Sequence, residues 1–566
     1  MHTKRIKKKS GVYLARYESF REDGKVKTRF LGYDGKEGPV RGVPLPKKSL
    51  HGEKPLYPEI SKRAGDVKLM WTIANDRLNM PKIIDKICCG NENIDGKSPG
   101  KILTAWAVNK ATNPESAANL SEWVKTTILP ELTGLPDDYF TDSAFYTSLD
   151  RVCYKDNTAD GYTDHSQTIC NELFHHWRNH NPLPPSIPEI LAYDLTAILI
   201  FGNAEDLGAR GYNSKNANQK QINLCVLVSK WDNIPVSYFL IPGNFNSMSS
   251  VKELLVTVIG TSIPPGTLIW DRGNTSEESI RDIEKLGWKL ICGVQQVPKE
   301  VGALIRETDV PMGVPNRVKS TEKSALYATR AIGELYGRQN AGVVYINLSK
   351  RMELIDARNE LLADLSDELD ALRDNPDTLN ETRMKTKISE IIGENSKFFT
   401  IEITHTGSQV SLNWTFNDEA IVEAVAFDGK HLLYSTDTSL KAIEVVREYV
   451  GKDFIERSFK TLKTNLRIAP VRHWKNHRIR GIFFVNMMAL WIRKVYDLSL
   501  NQLEDKKRPF GFDELLKQLK LVSYVEVESE TGEKAYWYLN LSNAVIKQLK
   551  WMGFKNLFEI KRLNQL

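Results

Sequence analysis

The chain has 566 residues, enough for about four domains of roughly 150 residues each. Hydrophobic residues make up 41% and charged residues 26%, which is typical of a folded globular protein and excludes wholesale disorder. The longest strongly apolar stretch, residues 481–492, is too short to cross a bilayer as a helix. We therefore expect no membrane partner. The six cysteines include no C-x-x-C pair and no nearby metal-ligand cluster, which suits a reducing cytoplasm, and we interpret all six as structural.

The charge of the chain is unevenly distributed. The net charge of +6 is small for this length and says little about partners. Residues 4–9 carry five basic and no acidic side chains, and residues 457–494 carry ten basic and no acidic side chains. Because aromatic residues such as Phe459 and Trp474 are interleaved with the second group, it favours a surface for a polyanion over an ordinary solvated face.

The first third of the chain predicts two modules. Alternating residues around a turn at Asp23-Gly24 indicate a basic β-hairpin module over residues 1–55. Helical periodicity follows, and we interpret residues 56–184 as a helical domain for DNA binding or dimerisation. The proline-rich segment 181–188 marks a linker, after which the pattern changes from helical to strand.

Residues 185–296 predict the first part of an α/β core. Three β-rich runs are followed by a helix, a strand, a second helix and a last strand: 190–201, 222–228, 236–241, 251–259, 267–270, 276–286 and 289–294. This is the order of a ribonuclease-H-like sheet.

The remaining segments predict an interruption, the end of the core and a last module. Residues 297–437 predict a helical hairpin, followed by strands at 398–405, at 410–416 and around a turn at Asp428-Gly429. The apolar positions of its two helices are Leu361, Leu365, Leu369 and Leu372, then Ile388, Ile391 and Ile392. We interpret the segment as a mixed helical/β insertion domain. Residues 438–505 would complete the catalytic core, and residues 506–566 would form a C-terminal α/β module. The predicted fold class is therefore α/β, with an interrupted ribonuclease-H-like core behind β-hairpin and helical modules.

Two aspartates occupy positions that suggest chemistry. Asp194 lies within the apolar run 190–199, where a carboxylate is costly unless something compensates its charge. Asp271 directly follows the strand 267–270, and ligand-binding residues of α/β sheets gather beyond the carboxyl ends of strands. The alternatives are a strand-end aspartate capping a turn at Asp194 and an Asx-turn before a helix at Asp271.

A third carboxylate comes from helical spacing. On an ideal helix one polar face is formed by Tyr449, Lys452, Glu456, Lys460 and Lys463. The opposite side carries Val450, Phe454, Ile455, Phe459 and Leu462 and can pack on the sheet. Glu456 would then point at the strand ends, while the lysines hold a DNA backbone. Gly451 makes a break or bend in this helix possible. An ordinary amphipathic surface helix remains the alternative.

Three clustered carboxylates repel one another unless divalent cations with oxygen ligands lie between them. We therefore expect Asp194, Asp271 and Glu456 to bind Mg²⁺, with Mn²⁺ as a possible substitute. Two such ions can clamp the attacking and leaving oxygens of an in-line phosphoryl transfer.

The sequence resembles the insertion-sequence transposases of the Asp-Asp-Glu class that carry a Tyr-x2-Arg-x3-Glu-x6-Lys signature, in their long-chain branch. The signature corresponds to Tyr449-x2-Lys452-x3-Glu456-x6-Lys463. Shorter matching words are Tyr193-Asp194-Leu195-Thr196, Trp270-Asp271-Arg272-Gly273, Phe427-Asp428-Gly429, and the segments 466–474 and 478–481.

The resemblance implies roles for individual residues. Asp194, Asp271 and Glu456 would be the catalytic, metal-binding triad, and Tyr449, Lys452 and Lys463 would contact phosphates of the transposon end. Lys452 stands where the family has Arg, which keeps the charge but loses the two-pronged geometry. Trp414 is the candidate for a tryptophan that stacks on a flipped base, with an ordinary core tryptophan as the alternative. We add Lys460, Arg467 and Arg472 as basic DNA contacts.

We therefore interpret the chain as a cut-and-paste DNA transposase of a prokaryotic cytoplasm, associated with the nucleoid when bound to DNA. Its partners would be double-stranded DNA, as terminal inverted repeats and as target, and a second copy of the chain in a homodimeric synaptic complex. Two alternatives remain open: a catalytically silent, transposase-derived DNA-binding protein, and a nuclease of the same fold that does not join strands.

Overall fold

The computed structural model describes residues 2–8, 11–22, 25–37, 60–90, 98–156, 161–201, 206–213, 219–245, 248–295, 299–321, 324–374, 380–406, 409–473, 475–528 and 534–558. Its helices are α1 (Gly65–Thr72), α2 (Met80–Cys89), α3 (Pro99–Thr112), α4 (Ala117–Lys125), α5 (Leu129–Thr133), α6 (Asp142–Val152), α7 (Ser166–His180), α8 (Val251–Gly260), α9 (Glu277–Lys285), α10 (Lys299–Glu307), α11 (Leu348–Asp374), α12 (Glu381–Ile392), α13 (Asp418–Phe427), α14 (Ala442–Val450), α15 (Asp453–Lys460), α16 (Asn476–Asn501), α17 (Phe512–Lys520) and α18 (Asn543–Trp551).

The strands are β1 (His2–Lys8), β2 (Gly11–Glu22), β3 (Lys25–Glu37), β4 (Ile60–Arg63), β5 (Cys153–Lys155), β6 (Tyr162–Asp164), β7 (Ile190–Leu199), β8 (Ala209–Arg210), β9 (Lys220–Ser229), β10 (Pro235–Pro242), β11 (Thr267–Trp270), β12 (Lys289–Gly293), β13 (Arg317–Thr321), β14 (Ser324–Arg330), β15 (Glu334–Leu335), β16 (Arg338–Gln339), β17 (Gly342–Asn347), β18 (Phe399–Thr406), β19 (Gln409–Phe416), β20 (Lys430–Ser435), β21 (Ser523–Glu528) and β22 (Lys534–Leu539).

A ten-stranded mixed sheet forms the centre of the fold. Its strand order is β10-β9-β7-β11-β12-β20-β17-β14-β13, with β8 paired to β9. Strands β7, β11 and β12 are parallel, and the other neighbours are antiparallel. The sequence prediction of three strands, a helix, a strand, a helix and a strand is confirmed by β7, β9, β10, α8, β11, α9 and β12.

The interrupting segment, residues 297–437, adds strands to the central sheet, whereas the sequence predicted an insertion domain. Four of its strands, β20, β17, β14 and β13, continue the central sheet from the edge of β12. Of these strands only β20, near the predicted Asp428-Gly429 turn, had a sequence signal. Because an exposed strand edge offers a row of unpaired backbone groups, β12 is a natural place for such an addition.

Helices α11 and α12 and strands β18 and β19 form a second core within the same segment. It buries Leu365, Leu369, Leu372 and Ile388, as the helical spacing predicted. The prediction for Leu361 is wrong: its side chain is 42% exposed and Leu362 is buried in its place. The apolar face of α11 follows residues 362, 365, 369 and 372, which keeps the three- and four-residue helical spacing.

The terminal modules differ in detail from the predicted ones. The N-terminal module is a three-stranded sheet, β1-β2-β3, and the turn residues Asp23 and Gly24 lie outside the described residues. In the C-terminal module, β21 pairs with both β22 and β4, so residues 60–63 and 523–539 share one sheet.

Helix α16 contains the apolar stretch 481–492 and is buried along most of its length. Gly481 is required there, because a Cβ atom at this position would lie 2.4 Å from the Cγ atom of Leu149 on α6. Within the described part of the chain, none of the helices combines the length and apolar character that crossing a membrane requires.

Candidate functional site

Asp194 and Asp271 lie on neighbouring parallel strands. Thr267 of β11 is opposite Ile190 of β7, and Ile269 is opposite Ala192. Two residues further in this register, Asp271 comes opposite Asp194. Because side chains alternate between faces, both carboxylates lie on the face that also carries Ile190, Ala192 and Ile269.

The contacts of the two aspartates argue against the structural alternatives. Asp194 is the fifth of the ten residues of β7, so it does not cap a strand end, and its Oδ1 atom accepts a 2.8 Å hydrogen bond from the Leu195 amide. Asp271 precedes a short 3-10 turn, but its side chain makes no capping hydrogen bond there. Its carboxylate instead interacts with Tyr449, near the end of α14, and with Lys452, between α14 and α15.

Glu456 is on α15, and the possible break at Gly451 is confirmed. Helix α14 ends at Val450, and α15 begins at Asp453. Phe454, Ile455 and Phe459 are buried on the apolar side, whereas Val450, also expected there, is 36% exposed because it lies at the break. Glu456 is exposed in the first turn of α15.

The three carboxylates are close enough to affect one another electrostatically. Burial, followed by the negative charges of Asp271 and Glu456, raises the pKa of Asp194 from 3.8 to about 7. The Leu195 amide and the Lys452 ammonium act in the opposite direction. An ionised Asp194 therefore needs additional positive charge at this place.

Tyr449 and Lys452 converge on Asp271. The Tyr449 hydroxyl donates a 2.8 Å hydrogen bond to Oδ1 of Asp271, and the Lys452 ammonium forms an ion pair with the same oxygen. The Lys452 side chain is 12% exposed and the Asp271 side chain 45%. Burial and then the charge of Asp271 raise the pKa of Tyr449, so its phenol stays protonated and can donate.

Gly293 provides the space for this arrangement. It continues β12 beside Asp271, since Trp270 is opposite Cys292 in the parallel register. A Cβ atom at Gly293 would lie 2.8 Å from the Tyr449 hydroxyl and 3.1 Å from Cβ of Arg272. A glycine in a buried strand can mark such a close approach, and this signal was present in the sequence.

We expect Gly293→Ala to displace the Tyr449 hydroxyl from Asp271. Loss of a hydrogen bond to a charged group corresponds to about tenfold in the rate of a reaction at this site. The matched control is Gly302→Ala on α10, where the nearest atom to a new Cβ is 4.0 Å away. If Gly293→Ala is as active as Gly302→Ala, Tyr449 does not act through this contact.

Two further side chains near Asp271 were not predicted. Tyr345 of β17 and His431 of β20 are cross-strand neighbours whose rings stack at 5.0 Å and 25°. Burial and the charge of Asp271 raise the pKa of Tyr345 to about 12, and burial and Arg272 lower that of His431. They reach the site only because their strands join the central sheet, which no local sequence signal indicated.

The basic residues of the predicted DNA surface fall into two groups. Lys460, Lys463, Arg467 and Arg472 are exposed, and the Lys463 ammonium donates a 2.6 Å hydrogen bond to Oγ1 of Thr196 on β7. The later bases of the run contact the protein instead: Arg478 pairs with Asp150, Arg480 lies near Asp164, and Arg493 and Lys494 are buried. The polyanion interpretation therefore applies to residues 457–475 only.

Trp414 lies in the second core of the interrupting segment. Its indole N–H donates a 2.9 Å hydrogen bond to Oδ1 of Asp370, and its ring meets Phe399 and Phe416 edge to face. These contacts correspond to the core alternative, and a role in base stacking stays a prediction.

The donor set of the site suits a hard divalent cation, since it consists of carboxylate oxygens. Within the described residues, no three His, Cys, Asp or Glu side chains are grouped closely enough to hold an ion as they stand. The Lys452 ammonium provides the positive charge at Asp271 instead. A bound cation would therefore have to share or replace this ion pair.

Comparison with protein families identifies the chain. Residues 185–492, more than half of the sequence, match the family described as "Transposase DDE domain". The chain belongs to this family. The match confirms the resemblance to Asp-Asp-Glu transposases at this level, while the narrower signature and the long-chain branch stay predictions.

Two other comparisons add nothing to this family assignment. A cryo-EM structure of a piggyBac transposase synaptic complex with hairpin DNA matches with a TM-score of 0.37 and 7% identity, covering 88% of this chain and 86% of that chain. At this similarity nothing follows for the present chain. No curated protein matches the sequence.

Proposed function

We propose that this chain is a metal-dependent DNA transposase that cleaves the ends of its element and joins them to target DNA, in a cut-and-paste reaction. Asp194, Asp271 and Glu456 would be its catalytic residues. The observation that carries the proposal is the register of β7 and β11, which sets two aspartates side by side on the face that the Glu456 helix approaches.

The strand order supports a ribonuclease-H-like core. Strands β10, β9 and β7 are antiparallel neighbours, and β11 and β12 follow β7 in parallel. Asp194 lies on the central strand of these five, and Asp271 follows the strand beside it. Carboxylates at neighbouring positions of such a sheet suit phosphoryl transfer through divalent cations.

Mg²⁺, or Mn²⁺ in its place, would be held by Asp194, Asp271 and Glu456, where it would supply positive charge and favour deprotonation of the attacking water or 3′-hydroxyl. Tyr449 and Lys452 hold the Asp271 carboxylate in a fixed orientation. Lys463, held by Thr196, places an ammonium near the strand that carries Asp194 and would bind a DNA phosphate.

The test is a cleavage assay on natural DNA. Purified protein is incubated with a plasmid carrying its gene and flanking DNA, with Mg²⁺, Mn²⁺ or EDTA, and the broken and joined ends are mapped. We expect metal-dependent cuts at paired inverted repeats, with cut ends recovered in new DNA. We expect the active complex to elute as a dimer on that DNA.

Other results of this assay would contradict the proposal or favour one of the alternative functions. Specific binding of the repeats without cleavage in any metal would favour a silent transposase-derived DNA-binding protein. Cleavage without joined ends would favour a nuclease. Cleavage that persists in EDTA would contradict the metal-dependent mechanism.

A further inference from the structure

Lys452 provides positive charge to both aspartates of the candidate site. Its ammonium forms an ion pair with Oδ1 of Asp271. Its charge also acts on Asp194, where it opposes the rise of the pKa that burial causes. A divalent cation bound between these carboxylates would act on both of them in the same way. In the free protein, Lys452 therefore has the electrostatic effect that a bound metal ion would have.

The Lys452 ammonium is held in this position by two groups. Besides the Asp271 carboxylate it contacts the ring of Tyr449, whose centre is 4.7 Å away. The Tyr449 hydroxyl donates to the same Oδ1 atom, so the three side chains form one cluster. A cation over an aromatic ring and beside a carboxylate is stabilised by both, and the Lys452 side chain is only 12% exposed. The contact is therefore more persistent than an exposed ion pair, which contributes little.

The second oxygen of Asp271 is accessible to a metal ion. Within the described part of the chain, no donor forms a hydrogen bond with Oδ2, and the Asp271 side chain is 45% exposed. A cation at Oδ2 would lie beside the ammonium on the neighbouring oxygen, and two positive charges at such a distance repel each other. Lys452 therefore weakens the binding of a divalent cation to Asp271 for as long as it stays in place.

Lys452 also borders the basic surface that we expect to meet DNA. It lies in the break between α14 and α15, and the polar face of residues 449–463 continues from it to Lys460 and Lys463, which are exposed. Phosphates of a DNA backbone on this surface would compete with Asp271 for the ammonium. Lysine suits such an exchange, because its ammonium is a point charge on a flexible stem, whereas the fork of an arginine would hold both carboxylate oxygens.

We propose that Lys452 opposes cation binding at Asp271 until DNA is bound, and that a DNA phosphate then takes over its ammonium and frees the carboxylate for Mg²⁺. The inference rests on the proposed function, which provides both the DNA and the metal ion. Binding of the cation is thereby coupled to binding of the DNA. The free protein keeps its three carboxylates without an active metal centre, which confines cleavage to the complex with DNA.

The first experiment measures Mn²⁺ binding to the free protein by electron paramagnetic resonance, without DNA. We expect Lys452→Gln to bind Mn²⁺ about tenfold more tightly than the unmodified protein, because loss of the ammonium removes the repulsion. Lys452→Arg keeps the charge and should bind Mn²⁺ no more tightly than the unmodified protein. Lys460→Gln is the matched control, since Lys460 is an exposed lysine of the same polar face, and should change the Mn²⁺ affinity by less than about twofold.

The second experiment repeats the Mn²⁺ titration with a short DNA duplex of arbitrary sequence. Mn²⁺ bound by the duplex itself is subtracted by using Asp271→Asn with the same duplex as the reference. On addition of the duplex, the unmodified protein should gain about tenfold in Mn²⁺ affinity, and Lys452→Gln should gain little, because it has no ammonium to release. Equal gains in these two proteins would overturn the proposal. Equal Mn²⁺ affinities of the unmodified protein, Lys452→Gln and Lys460→Gln without DNA would overturn it as well.

Near-ultraviolet circular dichroism shows whether each variant is folded. Should Lys452→Gln fail to fold, Lys452→Arg decides: its fork holds both oxygens of Asp271, so its gain on addition of the duplex should be smaller than that of the unmodified protein. An equal gain would contradict the exchange. A protein that shows the exchange but cuts no DNA would lose the proposed function and keep this coupling, whereas one that cuts DNA without the exchange would lose only the coupling.

Discussion

Glu456→Gln and Asp271→Asn are each expected to lower the rate of DNA cleavage about a thousandfold, corresponding to roughly 4 kcal/mol of lost transition-state stabilisation. Each change removes one negative charge and one ligand oxygen while keeping the size of the side chain. The rate is measured on the natural DNA ends under single-turnover conditions with Mg²⁺. The effect should be larger than that of removing any neighbouring charge outside the triad, since only Asp194, Asp271 and Glu456 would bind the metal.

The matched control is Asp453→Asn, one turn before Glu456 on the same helix. Asp453 is exposed and pairs only at the surface, with Arg457 at 3.3 Å. We expect this variant to cleave DNA within about twofold of the unmodified rate, because an exposed ion pair contributes little. Equal losses in Asp453→Asn and Glu456→Gln would mean that α15 acts through its overall charge, and the catalytic role of Glu456 would be withdrawn.

Asp194→Asn is expected to abolish cleavage and at the same time to stabilise the metal-free protein at pH 8. The pKa of Asp194 is raised from 3.8 to about 7, so the folded protein holds a proton that the unfolded chain releases between these values. The stability of the unmodified protein therefore falls as the pH rises from about 4 to 7, and the full cost is present above pH 7. Asparagine is neutral throughout and avoids this cost, which is on the order of 4 kcal/mol.

The measurement is urea unfolding of both proteins in EDTA at pH 8 and pH 5. The advantage of Asp194→Asn should be largest at pH 8 and should shrink towards pH 4, where Asp194 is protonated in the folded protein. Mg²⁺ should reduce the advantage at pH 8, since a bound cation would stabilise the ionised carboxylate. A stability advantage of equal size at both pH values would show that burial and the neighbouring carboxylates do not raise the pKa of Asp194.

Local sequence features determined the elements that carry the three carboxylates. The apolar runs 190–199 and 267–270 have the length and composition of buried strands, and Asp194 and Asp271 stand out in them because charge is costly there. The polar spacing of residues 449–463 predicted which side of the Glu456 helix faces the sheet, and Gly451 predicted its break. Each of these signals depends only on residues that are close in the chain, so one sequence is enough to detect it.

The tertiary structure decided how the site is completed. The register of β7 and β11 depends on the pairing of strands more than 60 residues apart, which local periodicity cannot give. Four strands of the interrupting segment join the central sheet, and two of them bring Tyr345 towards Asp271 and His431 towards Arg272.

The basic run, residues 457–494, shows most clearly what the sequence determines and what the fold determines. By itself the sequence determined that residues 457–494 hold ten bases and no acid, and thereby that this region could meet a polyanion. Only the fold decided that the bases up to Lys475 stay exposed while Arg478, Arg480, Arg493 and Lys494 turn towards the protein. The physical reason is that α16 is buried along most of its length, so a charged side chain on it needs a partner, as Arg478 has in Asp150 and Arg493 in Asp513.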